Sequence, residues 1–111
     1  MTTPSTAPFH IDVRADGDNV TVHIAGELDA AATPCLRTCV DGVIATTTTG
    51  EVVVDLTDVS FIDSSGISAL LDARQRLTGE RRRMRVANTS LPVARIFEMT
   101  GLRDVFDCVT G

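Results

Sequence analysis

Asp63, Ser64, Ser65 and Gly66 form the cluster in this chain whose residue types and spacing point most directly to chemistry. Two adjacent hydroxyls behind a carboxylate suggest a nucleophile with an activating acid, or a place where a phosphate is carried or met. Asp55 and Asp58, just upstream, raise a magnesium site or an aspartyl-phosphate acceptor. Each of these readings needs further groups. A hydroxyl nucleophile needs a base, usually His, yet neither His10 nor His23 falls at the C-terminal end of an expected strand near Ser64. There is no GxSxG elbow, P-loop or GxGxxG. A receiver-type phosphoacceptor wants a Lys after a later strand, and every basic residue here is Arg. The residues argue against an enzyme.

Two readings of the cluster remain. Asp and Ser are preferred helix N-caps, so the four residues are a ready-made helix start. The cluster also follows an apolar run, at the carboxyl end of a strand, where open α/β sheets place their sites. A helix N-terminus tolerates negative charge. A phosphoryl group there would add about −1.5 to −2 charges. With Asp63 and other acids close by, that charge would repel an acidic partner face without refolding the domain.

The elements that must position this cluster emerge from periodicity. Phe9, Ile11 and Val13 alternate with His10, Asp12 and Arg14, which predicts a strand with one buried face. Asp16-Gly17-Asp18-Asn19 is a turn cluster, and Val20, Val22 and Ile24 resume the alternation, giving an antiparallel hairpin. His10 and His23 fall on its polar phase and read as bystanders. Gly26 to Asp29 ends the second strand; Asp29 or Thr33 can cap the next helix, and Pro34 suits a first helical turn. Leu36, Val40, Val43 and Ile44 form a core-facing helical stripe.

After the Thr46–Gly50 loop, Val52-Val53-Val54 opens a central strand that passes Asp55 and Asp58 and turns apolar again at Phe61-Ile62. Ile67, Leu70, Leu71 and Leu77 predict the second helix, closed by Gly79-Glu80. Met84 and Val86 predict a strand, Asn88 to Ser90 a turn and cap, and Val93, Ile96 and Phe97 a third helix ended by Gly101. Val105, Phe106 and Val109 suggest a short last strand. The order is ββαβαβα(β): an α/β domain with a mixed four- to five-stranded sheet, an antiparallel N-terminal hairpin and a parallel core, flanked by helices.

The 111 residues suit one domain over 9–111, behind a small, polar, Pro-containing stretch at 1–8 that reads as a disordered tail. No apolar run reaches the roughly 20 residues of a membrane span, so no membrane role and a cytoplasmic location are expected. A net charge of −5 argues against nucleic acid as a direct partner. The Arg81-Arg82-Arg83 run with Arg85 has no interleaved aromatics and reads as a solvated turn and strand face. Cys35, Cys39 and Cys108 lack CxxC spacing, and His10 and His23 are not at ligand spacing to them. They read as small buried hydrophobes, with no metal and no cofactor; a redox role at Cys108 stays open.

Three blocks then carry a family resemblance: Gly26-Glu27-Leu28-Asp29; Val54-Asp55-Leu56 through Phe61-Ile62-Asp63-Ser64-Ser65-Gly66-Ile67; and Ile96-Phe97-Glu98-Met99-Thr100-Gly101-Leu102. In this order and spacing the chain resembles the STAS domain family, specifically the bacterial anti-sigma factor antagonists (anti-anti-sigma factors). The resemblance implies a non-enzymatic partner-switching protein. Unphosphorylated, such a protein binds an anti-sigma factor that is also a serine kinase and so releases a sigma factor. Phosphorylation of the serine after the Asp of the central block, here Ser64, breaks the complex, and a PP2C-type phosphatase reverses it. Ser65 would be the neighbouring cap residue, and Asp29, Asp63, Ser65, Gly66 and Ile67 would contact the partner. Stressosome scaffolds and accessory subunits of lipid-transport ABC transporters are the alternatives within the family.

Overall fold

The computed structural model describes residues 9–47 and 50–106. Strands β1 (His10–Asp16) and β2 (Asn19–Leu28) pair antiparallel across a two-residue turn, Gly17-Asp18. Gly17 supplies the positive φ, 64°, that this turn demands at its first central position. Helix α1 (Thr33–Thr46) leads to strand β3 (Val52–Ile62), and helix α2 (Ser64–Gly79) leads to strand β4 (Met84–Thr89). β2–β3 and β3–β4 pair in parallel, so the sheet order β1-β2-β3-β4 matches the chain order, with one helix carrying each parallel crossover. Helices α3 (Leu91–Thr100) and α4 (Leu102–Val105) complete the described chain.

The expected alternation holds on β2, where Val20, Val22, Ile24 and Leu28 are buried. On β3 it holds from Val52 to Leu56, then shifts to Val59 and Ile62. Register irregularities in both parallel ladders accompany that shift. One core joins these residues to Leu36, Val40 and Val43 of α1, Leu70 and Leu77 of α2, and Val93 and Phe97 of α3. Each fully buried Leu or Phe contributes about 1.5–3 kcal/mol. Burying this face sets the inward side of every strand.

Several expectations are corrected. β1 buries little: Val13 is 49% exposed, because β1 lies at the sheet edge. Leu71, expected in the core, is 37% exposed. The buried stripe of α2 is instead Gly66, Ala69, Leu70, Ala73 and Leu77, because small residues let the helix lie close. Asn88 and Thr89, read as a turn, pair with Asp55 and Leu56 as the end of β4. The last strand is absent from the described residues. Val105 ends α4, and Phe106 is buried with its ring centroid 5.3 Å from that of Phe97. Its carbonyl accepts from the Val86 N–H at 3.1 Å. Val109 lies outside the described residues.

Among the arginines, Arg82 is only 4% exposed, against the solvated reading. Its Nε donates to the Gly50 carbonyl at 2.9 Å and a terminal nitrogen to the Thr47 hydroxyl at 2.8 Å. Arg85 meets Glu51 at 2.7 Å.

Candidate functional site

β3 delivers its last buried side chain, Ile62, and the backbone then opens at Asp63 in an extended conformation, φ −117°. The Asp63 carboxylate accepts the Gly66 N–H at 3.0 Å, which makes Asp63 the N-cap of α2. The expectation that Ser65 is the cap is thereby corrected: Ser64 and Ser65 are the first two residues of the helix. The Asp63 carboxylate opens the helix two residues ahead of Ser65, so Ser65 already lies inside its first turn. Ser64 is exposed and Ser65 half-buried. The Ser64 hydroxyl has no hydrogen-bond partner among the described residues.

A second turn stands beside the first. Asp29, just past the end of β2, accepts the N–H groups of Ala31 at 3.1 Å and Ala32 at 3.2 Å. The Thr33 hydroxyl donates to its backbone carbonyl at 3.2 Å. Asp29 thus orders the turn into α1, while the N-cap position itself falls to Ala32 without a side-chain cap. The turns touch through Leu28, whose carbonyl accepts from Asp63 N–H at 3.4 Å. A Cβ on Gly66 would stand 2.1 Å from that same oxygen. Gly66 is buried, and its missing side chain is what lets α2 start against the β2–α1 turn.

From these turns an open groove of about 460 Å³ runs between α1 and α2. Ser64, Ser65 and Ser68 line one end, with Thr33 opposite, and Arg37 and Arg76 lie further along. Arg37 approaches Asp72 at 3.9 Å, and Arg76 pairs with Asp41. The two pairs share one sequence offset, which holds α1 and α2 parallel. Sequence reasoning missed these groove residues, since no local pattern links positions on different helices.

Of the expected partner residues, the fold brings Asp29, Asp63, Ser65, Gly66 and Ile67 together around Ser64. Ile67 is half-buried and packs against the core. Three other expectations fall outside this site. His23, read as a bystander, bonds Asp58 at 2.8 Å in the sheet. Cys35, read as a buried hydrophobe, is exposed on α1, and Cys39 beside it is half-buried, where burial pushes its thiol above its ordinary pKa. Cys108 lies outside the described residues. Among the described residues no group of three or more His, Cys, Asp or Glu is placed to hold a metal, and no helix is long and apolar enough to cross a membrane.

The family model for the STAS domain matches residues 10–110. The chain belongs to the STAS domain family. It is similar to the anti-sigma-B factor antagonist of Bacillus subtilis (strain 168), 28% identical over 100 residues that cover 89% of each chain. Its fold is similar to that of an anti-sigma factor antagonist from Mycobacterium paratuberculosis, with a TM-score of 0.79 and 24% identity over 92% of this STAS domain and 86% of the other chain. It is also similar to the Bacillus cell fate determinant SpoIIAA in the phosphorylated form, with a TM-score of 0.69 and 23% identity over 94% of this chain and 91% of that one. The α/β mixed sheet expected from the sequence is the architecture of these proteins.

Proposed function

We propose that this STAS domain is an anti-sigma factor antagonist switched at Ser64. In its unphosphorylated form it binds an anti-sigma factor with serine kinase activity, and a sigma factor is released. The kinase then transfers the γ-phosphoryl group of ATP to the Ser64 oxygen, the hydroxyl proton leaves, and ADP departs. A PP2C-type phosphatase hydrolyses the ester and restores binding. The domain works by binding in the cytoplasm and catalyses nothing itself.

The observation that carries this reading is the division of labour in the turn. Asp63 caps the helix, which leaves the Ser64 hydroxyl exposed and unpartnered at the first helical residue. A phosphoryl group on that oxygen stays in solvent at the positive end of α2. The charge it brings, about −2, stands beside the Asp63 and Asp29 carboxylates. The surface formed by Asp29, Asp63, Ser65, Gly66 and Ile67 changes charge while the core stays untouched. The names of the similar proteins, and a phosphorylated form of one of them, support the same reading.

Incubation with candidate anti-sigma kinases and ATP, followed by intact mass and peptide mapping, tests it. One phosphate on Ser64 is expected, with Ser64→Ala binding constitutively and Ser64→Asp binding weakly. A phosphate mapping to Ser65, or undiminished binding by Ser64→Asp, overturns the mechanism. Copurification with transporter subunits in place of an anti-sigma factor would move the domain to the accessory-module branch.

A further inference from the structure

β1 is an edge strand: β2 pairs with one side of it, and no described strand pairs with the other. Because Asp16 and Asn19 flank a two-residue turn, they form a hydrogen-bonded pair, and such pairs alternate along an antiparallel ladder. His10, Asp12, Arg14 and Asp16 therefore direct their backbone groups to β2. Ile11, Val13 and Ala15 direct theirs outward, to the open edge. The register has no irregularity that would break this alternation.

We propose that this edge pairs with the β1 edge of a second copy, antiparallel and centred on Val13. In that register Val13 faces Val13 of the partner, and Ile11 faces the partner's Ala15. All outward amides and carbonyls meet outward ones: three pairs, each exchanging two bonds, or about six backbone hydrogen bonds. The intervening positions are the closer, non-hydrogen-bonded pairs. There Asp12 faces the partner's Arg14, and His10 faces the partner's Asp16, each twice by symmetry. Every charge on the edge meets its opposite or a titratable His. A register slipped by two residues loses this match: centred on Asp12 it sets Asp12 against the partner's Asp12, and centred on Arg14 it sets Arg14 against the partner's Arg14. The exposure of Val13, 49% in one copy, fits a residue at a two-fold contact.

Edge charges also serve to block strand addition, and a row of one sign does so by repelling a second copy. This edge carries mixed signs in a self-complementary order. A contact of seven residues per copy is smaller than the roughly 1,200 Å² of a standard interface, so the dimer is weak and reversible. Asp12 is engaged by His10 at 3.2 Å within the copy, a pair that can be exchanged for Arg14 of the partner. The contact does not involve Ser64.

Sedimentation equilibrium of the whole chain from about 10 to 500 μM spans the range of such a weak association, and a mass rising toward twice the monomer is expected. Asp12→Arg and Arg14→Asp each place like charges in facing positions. Each should weaken association about tenfold or more while leaving the melting temperature and circular dichroism unchanged. An equal mixture of the two variants faces opposite charges at both positions and should restore a heterodimer. A monomer throughout the range, a dimer indifferent to either reversal, or a mixture that stays monomeric would each overturn the proposal.

Discussion

The two ends of the parallel strands are stitched by polar residues in opposite ways. Below the amino ends, Arg82 is buried and donates through Nε to Gly50 and through one terminal nitrogen to Thr47, tying the β4 approach to the end of α1. Its other terminal nitrogen is buried without a hydrogen-bond partner among the described residues. Beyond the carboxyl ends, Asp63 and Asp29 spend their acceptors on the starts of α2 and α1, and Ser64 beside them is exposed. A side chain whose hydrogen bonds go to nearby backbone is held in place and stabilises the fold. One left exposed next to such a scaffold can be modified without loss of fold. The contrast explains why Arg82, inside the triple-Arg run, is interior, and why Ser64 is the candidate for modification.

Substitutions should grade accordingly. Arg82→Ala leaves the Gly50 carbonyl and the Thr47 hydroxyl without their charged donor and should cost about 2–3 kcal/mol in denaturant unfolding, with Ser64 still modifiable. A variant of wild-type stability would show that the two ends are not held differently. Gly66→Ala pushes a methyl into the Leu28 carbonyl and should cost about 1–3 kcal/mol. Because it separates the two site turns, it should also weaken partner binding more than Arg82→Ala at matched stability. Asp63→Ala removes the helix cap, for about 1 kcal/mol. Ser64→Ala, one residue on, should stay within about 0.5 kcal/mol of wild type while abolishing phosphate incorporation. Equal destabilisation by these two neighbours would break the proposed division between cap and switch.

The smallest effect concerns the thiols of α1. A raised pKa leaves less thiolate at neutral pH, so Cys39 should react with iodoacetamide more slowly than exposed Cys35, and its rate should keep rising to higher pH. Peptide mapping of the alkylated protein reads this directly; equal rates would place Cys39 in a more open helix face.

By itself the sequence determined the element order as far as α3, the hairpin, the inward faces of β2 and α1, and the Asp-Ser-Ser-Gly turn at the end of the central strand. Those features rest on local chemistry: period-2 and period-3.6 burial, turn glycines and capping side chains. The motif blocks also carried the family. Tertiary structure alone decided which face α2 buries. Leu71 and Leu70 are equally apolar, but Gly66, Ala69 and Ala73 permit the close approach that selects their side of the helix. It decided that Phe106 ends a helical turn and stacks on Phe97, because a buried ring answers to the nearest cavity more than to strand propensity. It also decided that Arg82 is interior and Val13 exposed, since both depend on which segments lie alongside. At the candidate site, residue types named the Asp-Ser-Ser-Gly cluster, and the family resemblance singled out Ser64. Only the fold, by giving the cap to Asp63 and placing Leu28 against Gly66, left its hydroxyl open.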